Sequence, residues 1–343
     1  MEQDAAHLDL PAVERYLAAH VPGFRGPLTA EKFSIGQSNP TFRLDCPSGT
    51  LVLRRKPPGQ LLKSAHAVDR AFRVPRALAG ADVPVARMHL LCEDESVIGS
   101  MFYVMDFQPG RHFMEPVLAD LSPEERGTVF DEMNRVLAAL HSVDYEALGL
   151  GDFGKPGSYF ARQIGRWTKQ YRASETGTLA DMDALIDWLD ANLPEDDGRV
   201  SLVHGDYRID NLIFEAHRPR IAAVLDWELS TLGHPFSDLA YQCMQWRMPV
   251  GEEGRGLAGI DRKAHGIPTE EEYVAAYCRR MGLAGIPDFD FCLAFSFFRM
   301  AAIVQGVKKR GLDGNASNPE RAARMGRFVP VYARMGLEAA SGR

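Results

Sequence analysis

Apolar and polar residues alternate in short runs over the first third of the chain. Such runs lie at 28–35, 40–46, 50–56 and 101–107 and are separated by turn residues. Runs of this length, rich in β-branched and aromatic residues, predict antiparallel strands. One helical stretch, 64–74, interrupts them, and Pro75 should end or kink any continuation of that helix.

After Pro109 and Gly110 the apolar residues recur at helical spacing. Ser122 is placed as an N-cap, with Pro123 at the first helical position and Glu125 completing a capping box. The positions that follow at helical spacing and form one apolar face are Val129, Met133, Val136, Leu137 and Leu140. Further helices are predicted at 157–174, 179–192, 235–248, 269–281, 288–310 and 319–340.

These patterns predict an α+β fold with two lobes. The smaller, antiparallel β lobe covers 1–107 and the larger, mainly helical lobe covers 108–343. A β-like stretch, 199–242, interrupts the helices, and we interpret it as a loop followed by a hairpin that turns near 216–219.

Composition narrows the class of protein. The chain has 343 residues, 45% of them hydrophobic and 25% charged, which is typical of an ordinary globular protein. A net charge of −7 argues against a general nucleic-acid binder.

The apolar run 291–307 carries Arg299 at its middle, which favours a buried helix over a membrane span. The N-terminus lacks the pattern of a signal peptide, and five cysteines without a CxxC pair suit reduced thiols, so we expect a cytoplasmic protein. The sequence indicates no particular oligomeric state.

The densest polar motif is "HGDYRIDN", which places Asp206 and Asn211 in a loop, and Asp226 follows at the end of a predicted strand. Phosphoryl transfer uses these residue types, since one carboxylate accepts the proton of the attacking hydroxyl. A carboxamide and a second carboxylate can hold Mg²⁺ against the phosphates of a nucleotide. We therefore expect the three side chains to converge on one point.

"HGDYRIDN" followed by "VLDWE" resembles the catalytic and metal-binding motifs of the aminoglycoside phosphotransferase family, also described as choline-kinase-like, which has the protein-kinase fold. The resemblance covers almost the whole chain. It implies an ATP- and Mg²⁺-dependent phosphotransferase in which Asp206 is the catalytic base and Asn211 and Asp226 are the metal ligands. Glu228 would contact the metal through water, or the substrate, or only solvent. His204 and Asp238 would have structural roles in the catalytic loop.

The first lobe would bind the nucleotide. Gly36 permits a close approach of the backbone, and the N–H groups of Gln37, Ser38 and Asn39 could face phosphate oxygens, although a plain hairpin turn fits the same residues. The resemblance points to Arg54 as the strand cation that contacts the phosphates, with Lys56 as the substitute. It also implies that the backbone of Asp106 and Gln108 recognises adenine.

The chain departs from the family pattern at Ala71, where relatives have a glutamate that pairs with the strand cation. Asp69 or another carboxylate replaces that glutamate, or phosphate alone holds the cation, or the chain is a catalytically silent nucleotide-binding module.

The family resemblance implies that the phosphoryl acceptor is a small molecule. The chain resembles the subgroup that is fused to acyl-CoA dehydrogenases in animals, which implies phosphorylation of a hydroxyl on an acyl chain, such as that of a hydroxyacyl-CoA. Candidate substrate contacts recur at helical spacing, and their arginines could meet CoA phosphates: Tyr159, Arg162, Arg166 and Trp167. A solvated helix face fits these residues equally well. The alternative is an aminoglycoside- or choline-type kinase acting on a cationic alcohol, which would favour a dense acidic cluster.

Overall fold

The chain folds into two compact units in a computed structural model that describes residues 8–33, 39–57, 68–251, 255–315 and 318–342. The first unit comprises Met1–His112, Leu148–Leu150 and Asn211–Ser230, and the second comprises Phe113–Ala147, Gly151–Asp210 and Thr231–Arg343. The first boundary lies close to the expected one at residue 107. The segment Asn211–Ser230, which the sequence assigns to the helical lobe, groups with the first unit.

The strands of the described residues follow in chain order. They are β1 (Thr29–Lys32), β2 (Thr41–Cys46), β3 (Gly49–Arg55), β4 (Met88–Cys92), β5 (Phe102–Asp106), β6 (Arg111–His112), β7 (Ser201–Val203), β8 (Leu212–Phe214), β9 (Ile221–Val224) and β10 (Thr231–Gly233).

The helices follow in the same way. They are α1 (Leu10–His20), α2 (Val68–Ala77), α3 (Pro123–His141), α4 (Tyr159–Ser174), α5 (Ala180–Ala191), α6 (Pro235–Arg247), α7 (Arg262–His265), α8 (Glu270–Met281), α9 (Phe289–Leu312), α10 (Pro319–Gly326) and α11 (Val329–Ala340). The α+β class predicted from the sequence is confirmed.

An antiparallel sheet in the order β1-β2-β3-β5-β4 forms the body of the first unit. Alternate residues of its strands, among them Phe42, Leu44 and Leu53, are buried in one apolar core with α1. The four predicted strands are confirmed, whereas α1 and β4 were not predicted. Asp9 begins α1 by accepting a hydrogen bond from the Ala12 N–H, a capping signal that the sequence does contain.

Pro75 lies inside α2 and does not end it, because the helix runs on to Ala77. Helical hydrogen bonding continues beyond the proline, because the Leu78 N–H donates to the Val74 carbonyl at 2.9 Å. The proline ring still removes one backbone donor from the helix.

A second sheet, in the order β6-β8-β9, explains why Asn211–Ser230 belongs to the first unit. Arg111 pairs with Phe214 across β6 and β8, and the Val224 N–H donates to the Pro84 carbonyl at 2.9 Å. Gly110 makes this pairing possible, because a Cβ there would lie 2.1 Å from the Phe214 carbonyl oxygen.

The second unit is built around α9, which packs against α4, α6, α10 and α11. By length and composition α9 could cross a membrane, but 78% of its most apolar window is buried inside the protein, in keeping with the predicted buried helix. The capping box of α3 at Ser122 and Glu125 is confirmed. The prediction of one helix over 319–340 is wrong: α10 ends at Gly326, and Pro330 lies in the first turn of α11, where it cannot donate to the preceding turn.

Candidate functional site

The hairpin of β8 and β9 brings Asn211 and Asp226 to the same end of the first unit. Asn211 directly precedes β8 and Asp226 lies two residues beyond β9, and the two strands are antiparallel. The Leu225 N–H donates to the Asn211 carbonyl at 2.8 Å, which fixes the backbone next to Asp226. Asp226 itself has a left-handed backbone conformation, with φ of 63°. Aspartate tolerates this conformation better than most residues, and strain of this kind is common at functional sites.

Arg54 of β3 forms an ion pair with Asp226, 172 residues further along the chain. Its Nη2 lies 3.0 Å from Asp226 Oδ1 and 3.5 Å from Glu228 Oε2. Asn39, which is buried, donates from Nδ2 to the same Glu228 oxygen at 2.8 Å. Burial opposes the charge on Arg54, yet Tyr103, Asp226 and Glu228 hold the pKa of its guanidinium above the ordinary value. The strand cation and the predicted metal ligand are therefore adjacent, and Glu228 is tied to both Arg54 and Asn39.

The carboxylates that follow β9 pair with Arg54, as the glutamate that Ala71 replaces was expected to do. Ala71 is buried in α2 against Val68, Phe72 and Tyr103. Asp69 is exposed and forms no ion pair among the described residues, so it does not replace the missing glutamate. Arg54 thus has acidic partners, but they come from the segment 226–228 rather than from the helix.

The backbone predicted to recognise adenine lies at the end of β5 and just beyond it. The Asp106 N–H donates to the Arg87 carbonyl and the Phe107 N–H donates to the Thr50 carbonyl, so successive residues direct their backbone groups to opposite sides. The Asp106 side chain is engaged elsewhere, 2.6 Å from His89 Nε2.

For the other residues predicted to contact the nucleotide, the structure describes only Lys56 and Asn39. Gly36, Gln37 and Ser38 lie outside the described residues. Lys56 follows β3, and its N–H donates to the Met101 carbonyl at 2.9 Å. Nothing in the contacts of the described residues assigns its side chain to the carboxylates that hold Arg54.

Asp206, the predicted base, lies in the second unit and is held from two sides. The Tyr241 hydroxyl donates to Asp206 Oδ1 at 2.6 Å, and Arg208 Nε lies 3.2 Å from the same oxygen. Burial raises the pKa of Tyr241 well above its ordinary value, and the nearby Asp206 charge adds to this effect. The phenol therefore remains protonated and acts as a hydrogen-bond donor.

Asp238 fixes the backbone that leads into Asp206. Its fully buried carboxylate accepts from the His204 N–H at 2.5 Å and from the Gly205 N–H at 2.9 Å. Burial alone would raise the pKa of this carboxyl, but hydrogen bonding and charge from His141 and the bond from Gly205 hold it below the ordinary value. This is the structural role that the family resemblance implies.

Two arginines that the sequence did not single out share Asp210. Arg208 Nη2 lies 3.1 Å from Asp210 Oδ2, and Arg255 Nη1 contacts the same oxygen. Arg255 is 45 residues from Asp210 in the chain, so only the fold reveals that the two are in contact. The position of Arg208 inside the motif "HGDYRIDN" was the signal that the sequence offered.

The substrate residues predicted on α4 have different surroundings. Tyr159 and Trp167 are buried in the core of the second unit. Arg162 donates to the carbonyls of Lys155 and Pro156, at 2.5 and 3.4 Å, and so braces the turn before the helix. Arg166 is exposed, with its guanidinium carbon 5.3 Å from the centre of the Trp167 ring.

The donor atoms suit a hard cation. Carboxylate and carboxamide oxygens come from Asp226 and Asn211, and Glu228 supplies a second carboxylate nearby. Within the part of the chain that the structure describes, no group of three or more His, Cys, Asp or Glu side chains could hold a metal ion. Magnesium often uses only one or two carboxylates and completes its shell with water and substrate phosphates.

A β-rich unit carrying a strand cation beside an acidic residue, with a helical unit carrying a braced aspartate, defines a phosphotransferase of the kinase-like class. The model of the phosphotransferase enzyme family matches residues 29–282. The chain belongs to this family and is a phosphotransferase, so the silent-module alternative is not supported.

A solved structure from Ralstonia eutropha, described as a candidate aminoglycoside phosphotransferase, is 51% identical, with a TM-score of 0.89 over 98% of this chain and 99% of that one. The aminoglycoside phosphotransferase APH(4)-Ia, solved with AMP-PNP and hygromycin B, has a TM-score of 0.64 at 17% identity over 97% of this chain and 99% of that one. The second likeness concerns the fold alone.

Curated relatives carry the same kind of segment within longer chains. Acyl-CoA dehydrogenase family member 10 of Mus musculus is 48% identical over 309 residues, which cover 90% of this chain and 29% of the relative. Acyl-CoA dehydrogenase family member 11 of Homo sapiens is 41% identical over 339 residues, which cover 96% of this chain and 43% of the relative. The chain thus spans less than half the length of these relatives.

Proposed function

We propose that the chain transfers the γ-phosphoryl group of ATP, in the presence of Mg²⁺, to a hydroxyl of a small molecule. The observation that carries this proposal is the pairing of Arg54 with Asp226 at 3.0 Å. A triphosphate and its cation need a positive side chain and an anionic metal ligand side by side, and this pair supplies both.

The donor set fits Mg²⁺. Asn211 and Asp226 would hold the ion through hard oxygen atoms, with Glu228 within reach through water. When bound, the ion would neutralise charge on the phosphates. ATP analogues in solved family structures, such as AMP-PNP with APH(4)-Ia, are in keeping with a nucleotide donor.

In the proposed reaction the chain positions groups and moves one proton. Asp206 accepts the proton of the acceptor hydroxyl as its oxygen forms a bond to the γ-phosphorus. The bond between the γ-phosphorus and the bridging oxygen breaks, and ADP leaves with that oxygen. Arg54 would move from its carboxylate partners to the phosphates, where it offsets negative charge.

The proposed acceptor is a hydroxyacyl-CoA or a related hydroxy acid thioester. The relatives named above are acyl-CoA dehydrogenase family members, so this kind of segment occurs in the same chain as a domain that handles acyl thioesters. Arg166 is exposed on α4, whereas Arg162 donates to backbone carbonyls, so Arg166 is the one of the two predicted arginines available to meet a CoA phosphate.

A second candidate is phosphorylation of a cationic alcohol such as an aminoglycoside. It is favoured by the description of the Ralstonia eutropha structure, which is 51% identical. Several ammonium groups would need several carboxylates to replace their lost hydration. Asp206 and Asp210 instead share their surroundings with Arg208 and Arg255, which makes that part of the second unit less suited to a polycation.

The acceptor can be tested with purified protein, ATP and Mg²⁺. Hydroxyacyl-CoA thioesters that differ in chain length and hydroxyl position would be compared with kanamycin, hygromycin B and choline, and products would be detected by the mass gain of one phosphate. The proposal expects thioester products and none from the cationic alcohols. Products from the cationic alcohols alone would support the second candidate.

The role of Asp206 can be tested by Asp206→Asn. The amide keeps the shape of the side chain but cannot accept the proton, so kcat should fall by about 10²–10⁴-fold. Binding of AMP-PNP, measured by calorimetry, should change little. A variant with the kcat of the native chain would refute the assignment of Asp206 as the base.

A further inference from the structure

Arg299 is an unusual residue for the middle of an apolar helix. It lies in α9, is only 6% exposed, and forms no ion pair with an acidic side chain among the described residues. Its Nη2 donates to the Gly205 carbonyl at 2.5 Å. A buried charge is weak evidence for stability, because its desolvation is unfavourable, so this arginine calls for another explanation.

The guanidinium of Arg299 lies between two aromatic rings. Its central carbon is 5.8 Å from the centre of the Trp167 ring and 5.5 Å from that of Tyr241. These distances suit cation–π attraction, which is stronger where water is excluded. Arg299 therefore holds the backbone of the catalytic loop at Gly205 and the ring of Tyr241 at the same time.

Tyr241 passes this constraint on to Asp206. Its hydroxyl donates to Asp206 Oδ1 at 2.6 Å, and its side chain is buried, so the ring has little freedom to move. Arg208 approaches the same oxygen at 3.2 Å. Because Oδ1 accepts from the Tyr241 hydroxyl and lies close to the Arg208 guanidinium, rotation of the carboxylate is restricted.

We propose that Tyr241 is a positioning residue that aims the carboxylate of Asp206 at the acceptor hydroxyl, and that Arg299 holds Tyr241 in place. This inference rests on the proposed role of Asp206. Proton acceptance depends steeply on the geometry of the base, so a carboxylate free to rotate would be productive for a smaller fraction of the time.

The test compares Tyr241→Phe with a matched control, Tyr273→Phe. Tyr273 is also a buried tyrosine of the second unit, and its hydroxyl has no hydrogen-bond partner among the described residues. Loss of a hydrogen bond to a charged group should lower kcat of Tyr241→Phe on the order of 10- to 100-fold. ADP release would be followed with ATP, Mg²⁺ and the hydroxyacyl-CoA panel, and calorimetry with AMP-PNP should give unchanged affinity. Tyr273→Phe should keep the native kcat.

A double-mutant cycle with Asp206→Asn separates positioning from a general structural effect. If Tyr241 acts through Asp206, adding Tyr241→Phe to Asp206→Asn should lower kcat no further. Effects that multiply in the double variant would overturn the proposal, and so would a Tyr241→Phe variant with kcat within about twofold of native.

Arg299 is tested by Arg299→Lys and Arg299→Met. The lysine variant keeps a donor for Gly205 and should retain more kcat than the methionine variant, provided that both melt cooperatively. Should neither fold, Tyr241→Phe still decides the proposal. Native activity of Asp206→Asn would refute the proposed role of Asp206 as the base, whereas an impaired Asp206→Asn beside a fully active Tyr241→Phe would refute only the positioning role.

Discussion

Replacing Arg54 by glutamine should make the chain bind a divalent cation more tightly when no nucleotide is present. The Arg54 guanidinium lies 3.0 Å from Asp226 and 3.5 Å from Glu228, which makes it a resident cation beside the proposed metal ligand. A metal ion must share these carboxylates with the guanidinium or displace it. Arg54→Gln removes that competing charge and keeps a side chain of similar polarity.

The size of the effect follows from the exposure of the pair. The side chains of Arg54 and Asp226 are 12% and 31% exposed. The interaction should therefore lie between the value of an exposed ion pair, about 1 kcal/mol, and that of breaking a buried one, about 3–5 kcal/mol. We take a value of about 2 kcal/mol for the pair. Since a tenfold change in affinity corresponds to about 1.4 kcal/mol, the cation affinity should increase about 30-fold.

The assay is a titration with Mn²⁺, in which free ion is followed by electron paramagnetic resonance without nucleotide. Binding of AMP-PNP with Mg²⁺ should move in the opposite direction, because the phosphates lose a cationic contact. Arg54→Lys keeps the charge and should bind Mn²⁺ much as the native chain does. Arg43→Gln, which breaks the exposed pair with Asp45 in the same sheet, is a control that should change neither measurement. Unchanged Mn²⁺ affinity in Arg54→Gln would refute the idea of a resident cation.

Two further predictions concern stability. Ala71→Glu should reduce the free energy of unfolding by about 1–3 kcal/mol, because it buries a carboxyl group. It should give no gain in ATP affinity, because Arg54 already has acidic partners. Chemical denaturation and calorimetry would check these two expectations, and tighter nucleotide binding would contradict the second. Asp238→Asn should reduce the free energy of unfolding by about 3–5 kcal/mol at neutral pH, since the buried carboxylate accepts from His204 and Gly205. Because the pKa of Asp238 is lowered in the folded chain, its contribution is complete above the ordinary value of 3.8 and is lost as the pH falls below it. The difference between native and variant chains should shrink over that acidic range in pH-dependent unfolding, and a constant difference would argue against the charge of Asp238 as its cause.

Local patterns were enough to predict most elements of the fold. The periods of two and of 3.6 residues depend only on how a strand or a helix presents its side chains, so they can be read without knowing the partners. The capping box at Ser122 is a contact within a single turn and was predicted in full. A failure arose at Pro330, which separates α10 from α11 within the stretch predicted as one helix.

The sequence by itself determined the chemical types of the site, because phosphoryl transfer needs a base and hard oxygen ligands, and "HGDYRIDN" with Asp226 contains both. The tertiary structure alone decided which carboxylates accompany Arg54. Ala71 left that question open, and the answer depends on Asp226, which follows Arg54 by 172 residues. The contacts of Tyr241 and Arg299 with the catalytic loop likewise join residues distant in the chain. No short-range pattern encodes such pairs, because they form only when separate elements pack together.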